Sequence, residues 1–486
     1  MKIYELSADE LLEHYRSNKL LPVEVVMNLF EFIEEKNPII NAFVTLNKEE
    51  ALIQAEESEK RYKEGTNIRA LEGIPVAIKD LVNTKGIKTT HGCLIYKDNI
   101  PDRDATIVKR LKEAGAIIMG KTNTPEFGFK GTTENALFGP TKSPWNLDYQ
   151  SGGSSGGAAA SIASGFVPLA QGGDGAGSIR IPSALCGVYG FKPTFGRVPL
   201  DNDMGAVFNN HNPFIFYGPI TRTVTDAALM FDVIQGEAPS DPFSLPKLDV
   251  SIYDILKKEA RNEFVIGYSL DCGIFEVEIE TKDAFLKRID KFKEWGLRVE
   301  PVEISMKKTC KEYIDFFDKI WTTHLGAGVK PLMDNHADKV SEGLKNVVQR
   351  ADGLSAIEFD RLGEYRSYLW HMMQSMFETY DVILTPTLAT NKIAYDADKP
   401  EEINGHATED YDYTFLYTSI SNLTGQPAVS IPIGFTEKGI PIGMQAICKR
   451  LDDVTLFQFA KWVEEHLKTP TLAKIAATIY QGVNEK

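Results

Sequence analysis

The residues that could do chemistry sit in glycine-rich stretches of this 486-residue chain. In Gly172-Gly-Asp-Gly-Ala-Gly-Ser178-Ile-Arg180 a tight loop of small residues ends in a serine. Such a loop exposes backbone N–H groups that can converge on a developing oxyanion. The serine is then placed to attack a carbonyl, provided that it has a base. No histidine lies near it in the sequence, but Lys79 ends the run Gly73-Ile-Pro-Val-Ala-Ile-Lys79-Asp80, whose β-branched texture predicts a buried strand. Burial lowers a lysine pKa and lets it act as a neutral base. On sequence pattern alone, the same lysine reads more readily as an ordinary ion-pair partner at a strand end than as a base. A glycine- and serine-rich stretch also has the composition of a flexible linker. The apolar runs Ala158-Ala-Ala-Ser-Ile-Ala and Phe166-Val-Pro-Leu-Ala, and the charged Asp174 and Arg180, argue against a spacer.

Other matches compete for the chemistry. Gly153-Ser-Ser155-Gly-Gly157 fits GxSxG, which would make Ser155 the nucleophile of a strand–turn–helix elbow. The preceding Trp145 to Gln150 is a poor strand, and His211, His324, His336, His371, His406 and His466 lack the supporting context of a triad histidine. Gly115-Ala-Ile-Ile-Met-Gly120-Lys121-Thr122 fits the phosphate-loop pattern GxxxxGK[ST]. That loop needs small or polar residues between its glycines and a helix directly after. Ala116 to Met119 reads as a strand and Asn123-Thr-Pro-Glu-Phe-Gly does not start a helix, so the match is fortuitous.

These residues must be held by larger elements. Residues 1 to about 65 read as helices. Ser7 and Glu10 form a capping box, Pro22 opens a second helix that Asn37-Pro38 closes, and Lys48 to Lys63 makes a third. Beyond them, strands are predicted at 73–80, 116–119, 264–268, 381–384, 428–433 and 441–447. Helices are predicted at 104–115, 158–163, 224–235, 280–294, 339–350, 354–377 and 453–466. The alternation predicts an α/β protein with helices packed on a large sheet. Glu237 to Leu248, with three prolines and two serines, reads as a domain linker or a surface loop, and the loop is preferred. The net charge of -15 argues against nucleic acid or an anionic membrane as partner. No apolar run reaches membrane-span length and the first residues are too polar for a signal peptide, so a cytoplasmic protein is expected. Cys93, Cys186, Cys272, Cys310 and Cys448 lack zinc-ligand spacing, and neither a structural disulfide nor a metal is expected.

In their order and spacing, Gly73 to Asp80, Gly120-Lys-Thr-Asn-Thr-Pro-Glu-Phe-Gly128, Gly152-Gly-Ser154-Ser155-Gly-Gly157, Gly172 to Arg180, Cys186-Gly and Gly190-Phe-Lys-Pro-Thr-Phe-Gly-Arg197 resemble the amidase signature family. Thr424 to Gly434 and Gly439 to Gln445 are similar to its C-terminal strands. The resemblance covers nearly the whole chain and is weakest from 240 to 410. It implies an amidase signature fold: one domain over 1–486, with a large mixed central sheet covered by helices on both faces. Within it lie an N-terminal helical layer (1–65), a signature core (73–200) and a variable substrate-side region (240–410). It implies a Ser–cis-Ser–Lys triad of Ser178 as nucleophile, Ser154 as bridging serine on a cis peptide, and Lys79 as base. It further implies an oxyanion hole from the N–H groups of Gly175, Ala176, Gly177 and Ser178, support from Ser155, Asp174 and Arg180, and a substrate pocket at Phe129, Lys130 and Gly131. The implied activity is hydrolysis of a small-molecule carboxylic amide, linear, aryl or cyclic, through a seryl acyl-enzyme, with no cofactor. A homodimer is compatible with the sequence.

The chain departs from the commonest family pattern at Gly173, Gly175 and Ala176, and at Lys130, where many relatives have a small residue. In this region, and in Lys121 to Glu126 and Ser143-Pro-Trp-Asn146, it resembles the nylon-oligomer (aminohexanoate cyclic-dimer) hydrolases. The rival reading is a glutamine-hydrolysing subunit of a tRNA-dependent amidotransferase. Aligned on the motif around Asn422 to Gly425, Phe415 stands where those subunits hold an aspartate for the glutamine amine. Asn346 stands where they hold an arginine for its carboxylate. Those replacements would leave the charges of a zwitterion unpaired.

Overall fold

Strand-forming runs from before and after Glu237 to Leu248 pair into one mixed sheet of eleven strands in the computed structural model, which describes residues 2–202, 205–211, 214–258, 261–407, 413–468 and 472. Its strands are β1 (Phe43–Leu46), β2 (Pro75–Lys79), β3 (Ile117–Thr122), β4 (Leu169–Asp174), β5 (Tyr189–Lys192), β6 (Phe216–Thr221), β7 (Val265–Tyr268), β8 (Arg298–Pro301) and β9 (Val382–Pro386). β10 (Glu402–Ile403) and β11 (His406–Ala407) form a separate ladder, and β12 (Ala428–Phe435) and β13 (Pro441–Cys448) complete the large sheet. The order is β1-β3-β2-β4-β6-β5-β12-β13-β9-β7-β8. β2 runs parallel to β3 and β4, β7 runs parallel to β8 and β9, and the antiparallel pairs lie between and at the β1 edge.

Every residue of β2, β3, β6, β9 and β13 is buried. Successive strand residues face opposite sides, so both faces of the sheet are covered. The cover comes from α1 (Ala8–Arg16), α2 (Pro22–Ile40), α3 (Lys48–Glu64), α4 (Thr106–Glu113), α5 (Gly156–Ala163), α6 (Arg180–Cys186), α7 (Val224–Ile234), α8 (Ile252–Lys258) and α9 (Ile279–Glu294). After them come α10 (Cys310–His336), α11 (Glu342–Ala351), α12 (Ala356–Met376), α13 (Ser419–Thr424) and α14 (Asp453–Leu467). No helix among the described residues is long and apolar enough to cross a membrane.

Several elements differ from the sequence expectation. The N-terminal region is not wholly helical: Phe43–Leu46 forms β1, antiparallel to β3. Four residues carry too little pattern to announce a strand that exists only through a distant partner. α2 does not stop at Asn37-Pro38 but runs to Ile40. Pro38 falls in the last turn, where Asn37 Oδ1 accepts from the Ala42 and Phe43 N–H groups and Asn41, at φ +59°, ends the helix. The longest departure is α10, for which no helix was expected. Its signals are nevertheless present, in a Thr309–Glu312 capping box and an apolar stripe at Tyr313, Phe316, Phe317 and Ile320. That stripe packs with Leu369 and Met373 of α12 and with Tyr417 into an apolar cluster beside the site.

Candidate active site

Lys79 is the last residue of β2 and Asp174 the last of β4. These neighbouring strands run parallel, so both residues end at one edge of the sheet. Outside the carboxyl ends of parallel strands is where α/β sheets leave room for ligands. Two loops cross that edge. One carries Ser154 and Ser155 into α5, and the other carries Ser178 into α6. Glycine makes the crossing possible. A side chain at Gly153 would strike the Thr132 backbone, and one at Gly177, where φ is +123°, would strike the Thr418 side chain. The Gly153–Ser154 peptide is cis.

Lys79 is buried, and its Nζ lies 2.7 Å from Ser154 Oγ and 2.9 Å from Ser155 Oγ. Burial brings its pKa down to about 7, while the Asp174 carboxylate pulls the other way. Ser155 has its hydrogen bonds filled. Its Oγ accepts from the Gly173 N–H at 3.2 Å and donates to Gly173 O at 3.2 Å, with Lys79 at its remaining lone pair. Its own N–H donates to Ser178 O at 3.1 Å, which ties the two serine loops together. A hydroxyl so committed is a brace and not a free nucleophile, which disfavours the elbow reading.

Asp174 and Arg180 form a wholly buried ion pair, with Arg180 Nε and Nη2 donating to the two carboxylate oxygens at 3.0 Å. Burial would raise the Asp174 pKa, but the Arg180 charge and hydrogen bonds outweigh it and hold the carboxyl at about 2. Arg180 also donates to Thr418 O at 2.8 Å and to Ser421 Oγ at 2.7 Å, and it reaches Gln445 and Asn422. One guanidinium thereby fastens the Ser178 loop to α13 and β13. Asp174 in turn accepts from the N–H groups of Gly177 at 2.7 Å and Ile179 at 3.2 Å. The four N–H groups expected at the oxyanion hole are not equally committed. The Gly177 N–H is spent on Asp174, whereas those of Gly175, Ala176 and Ser178 carry no hydrogen bond among the described residues.

Ser178 stands between two cavities. The first, of about 360 Å³, is lined by Phe129, Lys130, Gly131, Ile181, Phe317, Trp321, Phe415 and Leu416. It is largely apolar, and four of the five charged side chains along it are paired, Lys130 with Asp398 and Arg350 with Asp318 at 3.0 Å; Lys399 is the fifth. The expected pocket residues Phe129, Lys130 and Gly131 are therefore together here, and the lysine is held by a partner. Phe415 and Asn346 line the same cavity. The second cavity, of about 240 Å³, holds Lys79, Ser154, Asn202, Asn210, Tyr217, His91 and His324. Burial lowers both histidines to about 4, aided for His91 by the Lys121 charge and for His324 by His211, so both are neutral near pH 7. Ser178, Gly128 and Trp321 line both cavities. Sequence reasoning assigned no site role to Phe317 or Trp321 and set His324 aside, and all three lie on α10, where no helix was expected.

A family profile described as Amidase matches residues 24–457. The acylamidase of Rhodococcus erythropolis is 34% identical over 459 residues, covering 94% of each chain. A glutamyl-tRNA(Gln) amidotransferase subunit of Alkaliphilus metalliredigens is 34% identical over 489 residues, covering 96% of this chain and 97% of that one. Among solved structures, a bacterial aryl acylamidase of the amidase signature family superposes with a TM-score of 0.90 at 32% identity, over 99% of each chain. The 6-aminohexanoate cyclic dimer hydrolase complexed with substrate superposes with a TM-score of 0.84 at 26% identity, over 98% of this chain and 100% of the other.

Proposed function

The chain belongs to the amidase signature family and is a hydrolase of carbon–nitrogen bonds, and we propose that it cleaves a carboxylic amide through an acyl-enzyme on Ser178. The observation that carries this reading is a buried amine in contact with Ser154, inside the cavity that Ser178 also lines. With its pKa brought down to about 7 by burial, Lys79 is available in its neutral form near pH 7. A neutral amine has one lone pair and two N–H bonds. It can accept the Ser154 proton while donating to Ser155.

The steps then balance. Lys79 takes the Ser154 proton as Ser154 takes the Ser178 proton, and Ser178 Oγ bonds to the carbonyl carbon. The carbonyl electron pair moves onto oxygen, toward the N–H groups of Gly175, Ala176 and Ser178. The proton returns through Ser154 to the substrate nitrogen, the C–N bond breaks and the amine leaves. Water repeats the sequence on the ester, releasing the acid and restoring Ser178. Asp174 and Arg180 act by positioning the loop that carries these donors.

A fluorophosphonate is expected to label Ser178, as read by mass mapping of the digested protein. An adduct on Ser155 would overturn the assignment. Glutamine hydrolysis in a tRNA-dependent complex is the alternative, given the amidotransferase relative. Phe415 and Asn346 supply no charge to a zwitterion in the first cavity, which supports neutral amides as substrates. Purified protein is accordingly expected to leave glutamine intact in a coupled glutamate assay.

A further inference from the structure

Among the described residues, Trp321 is the one aromatic side chain that lines both cavities beside Ser178. Its indole N–H donates to Phe129 O at 3.0 Å, and its ring lies near-parallel to Phe317, with centroids 6.2 Å apart. The ring sits against Gly175. A Cβ at that glycine would lie 2.9 Å from one indole carbon, 3.1 Å from another and 2.9 Å from Ile215 Cδ1. Carbon atoms pack at about 3.5–4.0 Å, so any side chain at 175 would have to displace the ring. The glycine that departs from the commonest family pattern and the tryptophan on α10 therefore share one volume.

We infer that Trp321, seated on Gly175, is a specificity-determining wall that keeps the two parts of the substrate in separate compartments. This rests on the function proposed above, which also fixes the direction. Lys79 and Ser154 line only the second cavity, and they return the proton to the leaving nitrogen. The amine belongs on that polar side, so the acyl group belongs in the first cavity, against Phe317, Phe415 and Leu416. The wall then limits the acyl group to what about 360 Å³ holds, which is near the lower end of ligand pockets. The substrate class is a neutral amide with a compact apolar acyl group and a small polar amine.

The test measures second-order labelling of Ser178 by fluorophosphonates bearing ethyl or decyl chains, on protein whose fold is checked by circular dichroism. In the wild type the ethyl probe is expected to react faster. Trp321→Ala joins the compartments and is expected to raise the decyl-to-ethyl rate ratio at least tenfold; Trp321→Leu serves if the alanine variant does not fold. Gly175→Ala is expected to slow both probes by displacing the ring. The double variant Gly175→Ala/Trp321→Ala is expected to be less impaired than the product of the single effects, because the two groups compete for one space. A ratio that stays within twofold in the Trp321 variant, or effects that simply multiply, overturns the wall. A wild type that is not labelled at Ser178 overturns the acyl-enzyme assigned to Ser178 and this inference with it, whereas labelled protein with an unchanged ratio overturns the wall alone.

Discussion

Two lysines stand one register apart on adjacent strands, and only one of them faces the serines. Lys79 ends β2 and is paired with Thr122, while Lys121 of β3 is paired with Ile78. The pleat turns them to opposite faces. Both are buried, and burial brings both to about 7. Lys79 meets the hydroxyls of Ser154 and Ser155 beside a cavity. Lys121 meets the Val82 carbonyl and, at 2.9 Å, Thr84 Oγ1, with the Asp80 charge as its main electrostatic support. The Val82 carbonyl has no proton to give, and the Thr84 hydroxyl, which lines neither cavity beside Ser178, already donates its proton to that carbonyl at 3.2 Å, so a neutral Lys121 has nothing to do as a base there. The pair teaches that a depressed pKa marks a buried amine, and that its partners and its access to a cavity decide whether it can be a base.

The comparison is broken or sharpened most strongly by activity. Lys79→Ala is expected to lower kcat/KM by about 10³-fold or more, within the usual range for removing a general base. Lys121→Met is expected to stay within about tenfold of wild type, since it removes no proton acceptor. Steady-state kinetics with variants whose fold is checked by circular dichroism tests both, and equal losses would erase the distinction. The pH profile comes next. Lys79 is protonated and idle below its pKa, so kcat/KM should fall about tenfold per unit below pH 7 and level off above it. Lys121→Met should keep that limb unchanged. A limb that moves with Lys121→Met would mean that this lysine also reports on the base.

What the sequence made legible follows the same division. Ser178, Ser154 and Lys79 lie in motifs whose spacing could be matched along the chain, and the strand ending at Lys79 has a local pattern of its own. β1 was hidden because its four residues gain their hydrogen bonds from β3, far along the chain. The role of Ser155 was hidden because a GxSxG match does not reveal that Gly173 and Lys79 fill the hydroxyl. The fit of Trp321 on Gly175 is a matter of shared volume between a helix and a loop, which neither segment carries alone. α10 is a different case. Its cap and stripe were readable, but such a stripe announces packing alone: Trp321 packs at the rim of the apolar cluster and lines both cavities, and His324 lines the second, which the helix pattern does not announce.

The smallest expected effect separates the structural cost of Lys121 from its service. Lys121→Met removes the hydrogen bonds from the amine to the Val82 carbonyl and Thr84, which keep the one between them, and this should cost about 1 kcal/mol in denaturant unfolding. The loss should depend on pH, and its sign can be worked out. The folded pKa is about 7, below the ordinary 10.5 of an unfolded lysine. Between those values the unfolded chain binds more protons, so the wild type gains stability as pH rises through that window. Below pH 7 the wild type carries the full penalty of placing a charge in a buried site. The methionine variant lacks this penalty at every pH. The difference between wild type and variant should therefore be smaller at pH 6 than at pH 9, with Lys79 present in both and cancelling. A difference that is larger at pH 6 would mean that Lys121 is stabilised in its charged form, so the two lysines would no longer be alike in protonation.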